Sequence, residues 1–136
     1  MIHRPFAVAE APSALYQKLF DTAYECFERV RKVLVPGSTS EEIIEATSVI
    51  EDNGFTVYDS VVHGEGGRNP ELGTRSSPHV REPWTFRENT VAVIQPNPIT
   101  LDHRAGLQLG AAVVVKPGGA QILHNYPFKF PVCGVE

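Results

Sequence analysis

His63 is the first residue that the sequence singles out for chemistry. It ends an apolar run and begins the glycine-rich segment Gly64, Gly66 and Gly67. Glycines of this kind let a ligand approach the backbone, and an imidazole can carry a proton near neutral pH. The same pattern also suits a turn histidine with a satisfied hydrogen bond, so both readings stand. The glycine segment is no phosphate loop, because no Lys-Ser/Thr pair or helix start follows it. Gln95 interrupts an otherwise apolar run just before Pro96, and Gln108 interrupts another. A polar residue on a half-buried strand must be hydrogen-bonded, so each is either a site group or an internal tie. As amides they can act neither as general base nor as strong metal ligand. His103 and Asp102 belong to a connecting loop and are expected in solvent. His3 reads as a strand-edge residue, His79 and His124 carry weak signals, and Glu65 and Glu71 read as solvated loop charges. The sequence displays no paired carboxylates, Ser/His/Asp set or Cys/His set.

The elements that must position these residues centre on the stretch 90–123. Within it Leu107, Leu109, Ala111, Val113 and Val115 alternate with Gln108, Gly110, Ala112, Val114 and Lys116. A period of two marks a strand that packs one face on a core. The other face, near Gln95, Gln108 and Gly110, is where a site is expected. Upstream, Leu15, Leu19, Ala23, Phe27, Val30 and Leu34 recur at helical spacing after Pro12-Ser13, and Pro36-Gly37 stops that helix. Ser38 with Glu41 predicts the capping box of a second helix, with Ile43, Ile44, Thr47 and Ile50 buried and Asn53-Gly54 closing it. Phe55 to Val62 reads as strand or extended chain. From His63 to Pro83 the composition predicts a long irregular loop of the kind that is functional or mobile. Trp84 and Phe86 are expected to re-enter the core, and the aromatic tail from Asn125 to lie over the surface. The order helix, helix, strands predicts an α+β domain with helices packed on an antiparallel sheet.

A chain of 136 residues with 42% apolar composition forms one domain with a real core. A formal net charge of −4 and the absence of a Lys/Arg run argue against nucleic acid as partner. Cys26 and Cys133 match no metal or redox spacing and are expected as free thiols in a reducing compartment. No apolar run approaches the about 20 residues that span a bilayer, and no signal peptide is visible, so a cytoplasmic protein without membrane contact is expected.

The blocks LVPGSTSEEIIEA, HGEGG, FRENTVAVIQPNP and AGLQLGAAVVVKPGGAQIL, in that order, resemble the pita-bread hydrolases. These are the methionine aminopeptidases, the Xaa-Pro dipeptidases and aminopeptidases, and the creatinases. The opening IHRPFAV looks like the family's Asp-Ile-Thr-Arg-Thr-Phe strand. The last two blocks overlay the family pattern without gaps from Phe86 to Pro96 and from Gly106 to Leu123. The resemblance covers nearly the whole chain. It implies a partial pita-bread fold with helices on a curved antiparallel sheet, corresponding to the C-terminal part of a peptidase catalytic domain.

The family's metal-dependent members hold two divalent ions (Mn, Co, Fe or Zn) on two aspartates, a histidine and two glutamates, and a metal-bridging water attacks the peptide carbonyl. By resemblance His63 matches the ligand histidine, whereas Gln95 stands in place of the first glutamate and Gly110 of the second. Gln108 lies two residues before Gly110 on the same strand face. Met1 stands at the second aspartate, and the family's other catalytic histidine falls near Asn69 or Pro70 and is missing. Neutral amides and a glycine do not replace anionic oxygens, so no metal ligand and no cofactor is assigned. The resemblance then implies a hydrolase-like domain for small peptides or peptide-like C–N bonds, with His63 as catalytic or binding group and Gln95 and Gln108 orienting the substrate. Its rival is a non-catalytic module that binds a peptide or partner protein. A chain covering about half of the two-part fold exposes sheet edges, so a homo-oligomer is expected.

Overall fold

The computed structural model describes residues 1–64, 70–80 and 82–134, so Glu65 and Asn69 lie outside the described residues. Helix α1, Ala14–Val33, begins where the Ser13 side chain accepts from the Tyr16 amide. It carries the apolar stripe anticipated above, burying Leu19, Ala23, Cys26, Phe27 and Val30. Arg31 and Lys32 in its last turn complement the carbonyl end of the helix dipole. Leu34 also lies in the core.

The next helix starts one residue later than the Ser38 box predicts. Thr39 and Glu42 form the reciprocal capping box of α2, Ser40–Thr47. Ser38 instead donates its hydroxyl to the Val35 carbonyl in the preceding turn. Replacing Thr39 by alanine removes one cap acceptor and is expected to lower stability by about 1 kcal/mol in urea unfolding. The helix does not run through to Asn53. It breaks at Ser48, whose hydroxyl bonds back to Ile44 O, and resumes as the single turn α3, Val49–Asp52. Gly54 ends it at φ 84°, a left-handed conformation that favours glycine.

The strands are β1 (Ile2–His3), β2 (Ala7–Val8), β3 (Thr56–Val57), β4 (Val62–Gly64), β5 (Val91–Ile94), β6 (Pro98–Ile99), β7 (Gly110–Val114), β8 (Gln121–Ile122) and β9 (Val132–Cys133). The main sheet runs β1-β7-β5-β4, with β8 also on β7, and every pairing in it is antiparallel. One small pair, β2 with β9, is parallel. Of the residues read as inward-facing in 107–115, Leu109, Ala111, Val113 and Val115 are fully buried, whereas Leu107 is only partly so, and Gly110 and Ala112 between them are buried too. Ala111 and Val113 join Ala92, Ile94 and Val62 in the cluster that contains Leu19, Phe27 and Val30 of α1. Helices thus cover one face of the sheet, and the opposite face carries His63, Val93, Gln95, Gly110 and Ala112.

The segment after His63 is anchored where it is described. Leu72 is buried and bridges to Val62. Thr74 and the Ser76 amide bond Glu51, Thr47 donates to Gly73 O, and Arg75 pairs with Glu45 and Asp52. Phe86 enters the core as expected, but Trp84 stays 36% exposed. Its backbone is what matters there, exchanging bonds with Ser40 beside the α2 cap. The tail does more than cover the surface. Phe128 packs on Phe27 with ring centroids 4.5 Å apart, and Arg4 bonds the carbonyls of Pro127, Tyr126 and Gly110. Arg4 therefore locks the tail onto β1 and β7. The two cysteines are free thiols, Cys26 in the core and Cys133 at the surface, and burial pushes the Cys26 thiol far up. Among the described residues no helix is long and apolar enough to cross a membrane.

Candidate functional site

His63 pairs with Val93 across β4 and β5, which sets its side chain on the face away from the helices. Gln95, two residues after Val93, shares that face and is only 6% exposed. The two side chains meet: His63 Nε2 lies 3.3 Å from Gln95 Oε1, across a separation of 32 residues. The other ring nitrogen, Nδ1, lies 3.4 Å from the Gly64 carbonyl oxygen. Among the described residues, both imidazole nitrogens thus face neutral oxygens.

Gln95 is held from both ends of its backbone. Its amide donates to Val61 O at 2.6 Å, and its carbonyl accepts from Asn97 Nδ2 at 2.9 Å. Asn97 is 1% exposed and uses all four of its hydrogen-bonding positions. Its Oδ1 accepts from the Tyr58 and Asp59 amides, and its Nδ2 donates to Ser60 O as well as to Gln95 O. A fully satisfied buried amide of this kind fixes two chain segments against each other. The sequence reading passed over Asn97, since an asparagine between two prolines looks like ordinary turn chemistry.

Gly110 sits tight against Gln95. A Cβ at Gly110 would lie 2.8 Å from Ile94 O and 3.1 Å from Gln95 Cα, closer than backbone neighbours tolerate. On the far side of Gly110 comes His3, its partner across β1 and β7. His3 is an edge-strand residue, as the sequence suggests, and lies on this face. His3 stands two residues after Met1, the position at which the resemblance places a ligand. Burial first, and then neighbouring positive charge including His63 and Arg4, hold the His3 pKa below its usual value.

Gln108 does not join the His63–Gln95 pair. It lines an adjacent groove of about 410 Å³ with Tyr58, Asn97, Ile99 and Leu107. A groove of about 610 Å³ between Arg4, Phe6, Tyr16 and Leu107 contains neither His63 nor either glutamine. Among the described residues, the His63–Gln95 contact and these two grooves lie in different places. His103 and Asp102 are exposed as expected. Asp102 accepts from Thr100, which with the Arg104 amide holds its carboxyl below the usual range and closes a local turn.

No protein-family model matches the chain, and no curated protein sequence does either. Solved structures do match. The X-Pro aminopeptidase from Thermotoga maritima superposes with TM-score 0.77 at 24% identity, over 96% of this chain and 37% of that one. The Xaa-Pro dipeptidase from Bacillus anthracis gives TM-score 0.78 at 20% identity, over 96% of this chain and 36% of the dipeptidase. The methionine aminopeptidase from Rickettsia prowazekii gives 0.67 at 16% identity, over 82% and 53%. The fold is the pita-bread fold. This chain spans little more than a third of the first two of these pita-bread proteins.

The pita-bread resemblance implies a dinuclear metal centre, and the residues that this chain places on the open face do not fit one. Gln95 brings a neutral amide already paired with His63. Gly110 brings no side chain, and the backbone has closed over the space where one would start. Among the described residues no three His, Cys, Asp or Glu side chains stand together as a metal-holding group. Anionic oxygens are what offset two divalent charges, and these positions supply none.

Proposed function

We propose that this pita-bread unit takes a small peptide, or a peptide-like C–N bond, on the sheet face that carries His63 and Gln95. The observation that carries this reading is the His63–Gln95 contact on a half-buried face of a peptidase fold. An imidazole beside an amide offers a donor and an acceptor at one point, which matches the peptide group being held. In this reading Gln95 and Gln108 orient the substrate from neighbouring positions. His63 takes a proton from an attacking water as its oxygen bonds to the carbonyl carbon, and returns a proton to the leaving nitrogen as the C–N bond breaks.

A second reading has an observation of its own. Both His63 nitrogens face neutral oxygens, so the imidazolium formed in such a step gains no anionic partner from the contacts described. That favours peptide binding without turnover. One assay separates the two: purified chain against a dipeptide panel, with released amine and calorimetric binding both recorded. Turnover that falls at least about 100-fold in His63→Ala supports hydrolysis. Binding without release, weakened in His63→Ala and Gln95→Ala, supports the binding module. Neither binding nor release, or turnover unchanged in His63→Ala, overturns both.

A further inference from the structure

The groove of about 610 Å³ beside Arg4 is built by stretches far apart in the chain. Residues between 4 and 16, the Gly106-Leu107 pair and Phe130 of the tail line it. Backbone bonds hold these stretches together. The Ala7 amide donates to Pro131 O at 2.8 Å, and the Ala9 amide to Cys133 O at 2.7 Å. Phe130 packs on Phe20 of α1 with ring centroids 5.5 Å apart. The groove is thus preformed, and its volume falls within the about 300–1,000 Å³ of small-molecule sites.

The lining has an apolar and a charged part. Phe6 and Val8 keep 63% and 66% of their surface exposed, and Tyr16, Leu107 and Phe130 stand around the same space. Apolar side chains gathered in one concave place, rather than scattered singly, are the mark of a binding surface. Arg4 donates four of its five N–H groups to the carbonyls of His3, Gly110, Tyr126 and Pro127. The fifth, on Nη2, has no partner among the described residues, and no carboxylate there pairs with the guanidinium. Helix α1 begins at the groove through Ser13 and Tyr16, and its first turn holds no acidic residue to offset the positive end of the dipole. Glu10 brings an exposed carboxylate to the same groove, and it too has no ion pair among the described residues.

We infer that this groove binds a free α-amino acid with an aromatic or branched apolar side chain, in its zwitterionic form. The ligand carboxylate takes the remaining Arg4 N–H beside the start of α1, and its ammonium group meets Glu10. The side chain lies among Phe6, Tyr16 and Leu107, where ring faces offer the largest contact. A ligand of one charge leaves either Arg4 or Glu10 unmatched, and a ligand without an apolar part leaves Phe6 and Val8 in water. The inference does not rest on the peptide reading, because the groove contains neither His63 nor either glutamine.

The test is titration of the purified chain with L-phenylalanine, followed by calorimetry and by NMR of the aromatic and histidine side chains. The expected result is one saturable equivalent, with the Phe6, Tyr16 and Phe130 ring signals shifting together and those of His63 unmoved. 3-Phenylpropionate, which lacks the ammonium group, and phenethylamine, which lacks the carboxylate, are expected to bind at least about tenfold more weakly. Glu10→Gln is expected to weaken L-phenylalanine about threefold and to leave 3-phenylpropionate unchanged. Both Glu10 and Phe6 are exposed, so Glu10→Gln and Phe6→Ala test the groove without removing the Arg4 bonds that hold the tail. Absence of saturable binding, equal affinity for the three ligands, or undiminished affinity in Phe6→Ala overturns the inference. Shifts at His63 in place of Tyr16 and Phe130 also overturn it, while supporting ligand binding on the His63 face.

Discussion

Replacing Asn97 by alanine lowers the unfolding free energy by about 4 kcal/mol, a loss expected in urea titration as a drop in midpoint at constant slope. The size follows from what the side chain does. It is 1% exposed and makes four hydrogen bonds, to the Tyr58 and Asp59 amides and to the Ser60 and Gln95 carbonyls. Truncation strands two buried carbonyls and two part-buried amides at once, and each buried stranded group costs about 1–3 kcal/mol before any relaxation or entry of water. The alanine also leaves a small void beside Pro96 and Pro98. The consequence reaches the site, because the Gln95 carbonyl loses its partner and the amide side chain its fixed origin. Binding of any ligand that uses the His63–Gln95 pair should therefore weaken in the surviving folded fraction. A loss below about 1 kcal/mol would show that the β3–β4 connection is held by other contacts.

Restoring a glutamate at position 110 is expected to damage the protein rather than equip it. In Gly110→Glu the first atom of the new side chain meets Ile94 O at 2.8 Å and Gln95 Cα at 3.1 Å. Both obstacles belong to β5 and its continuation, so relief means moving a central strand away from β7. Those strands share four register pairs, from Val91↔Val114 to Ile94↔Ala111. Overpacking of this kind costs about 1–3 kcal/mol, and the backbone character of the obstacles places it near the upper end. Gly110→Ala isolates the Cβ and is expected to show most of the loss, since the conflict precedes the carboxylate. Thermal unfolding of the two variants beside the parent chain tests this. A Gly110→Ala chain as stable as the parent would mean that the strands separate freely and that the missing glutamate has no structural cause.

Much of this was legible in the sequence. Helix α1 follows from its apolar spacing, and the strand pattern of 107–115 follows from strict alternation, because each depends only on neighbours along the chain. Alternation also set Leu109, Ala111, Val113 and Val115 on one face before any partner strand was known. The likeness of the blocks around His63, Gln95 and Gly110 to pita-bread patterns identified the fold. Local pattern erred where side chains compete for the same backbone groups. Ser38 and Thr39 both suit a cap, and the hydroxyl of Ser38 was already taken by Val35 O.

What the sequence determined by itself, then, was the type of each long element, the inward face of β7 and the candidacy of His63. Only the tertiary structure decided which polar residues share a place. Gln95 touches His63 and Gln108 does not, although both are glutamines on strands facing the same way by pattern. His3 enters the face because β1 pairs with β7, and Asn97 governs Gln95 because the chain folds back on Ser60. Such neighbours are set by strand register and by packing between segments far apart in the chain. A one-residue slip of register would turn each side chain to the other face, and no local spacing encodes that choice.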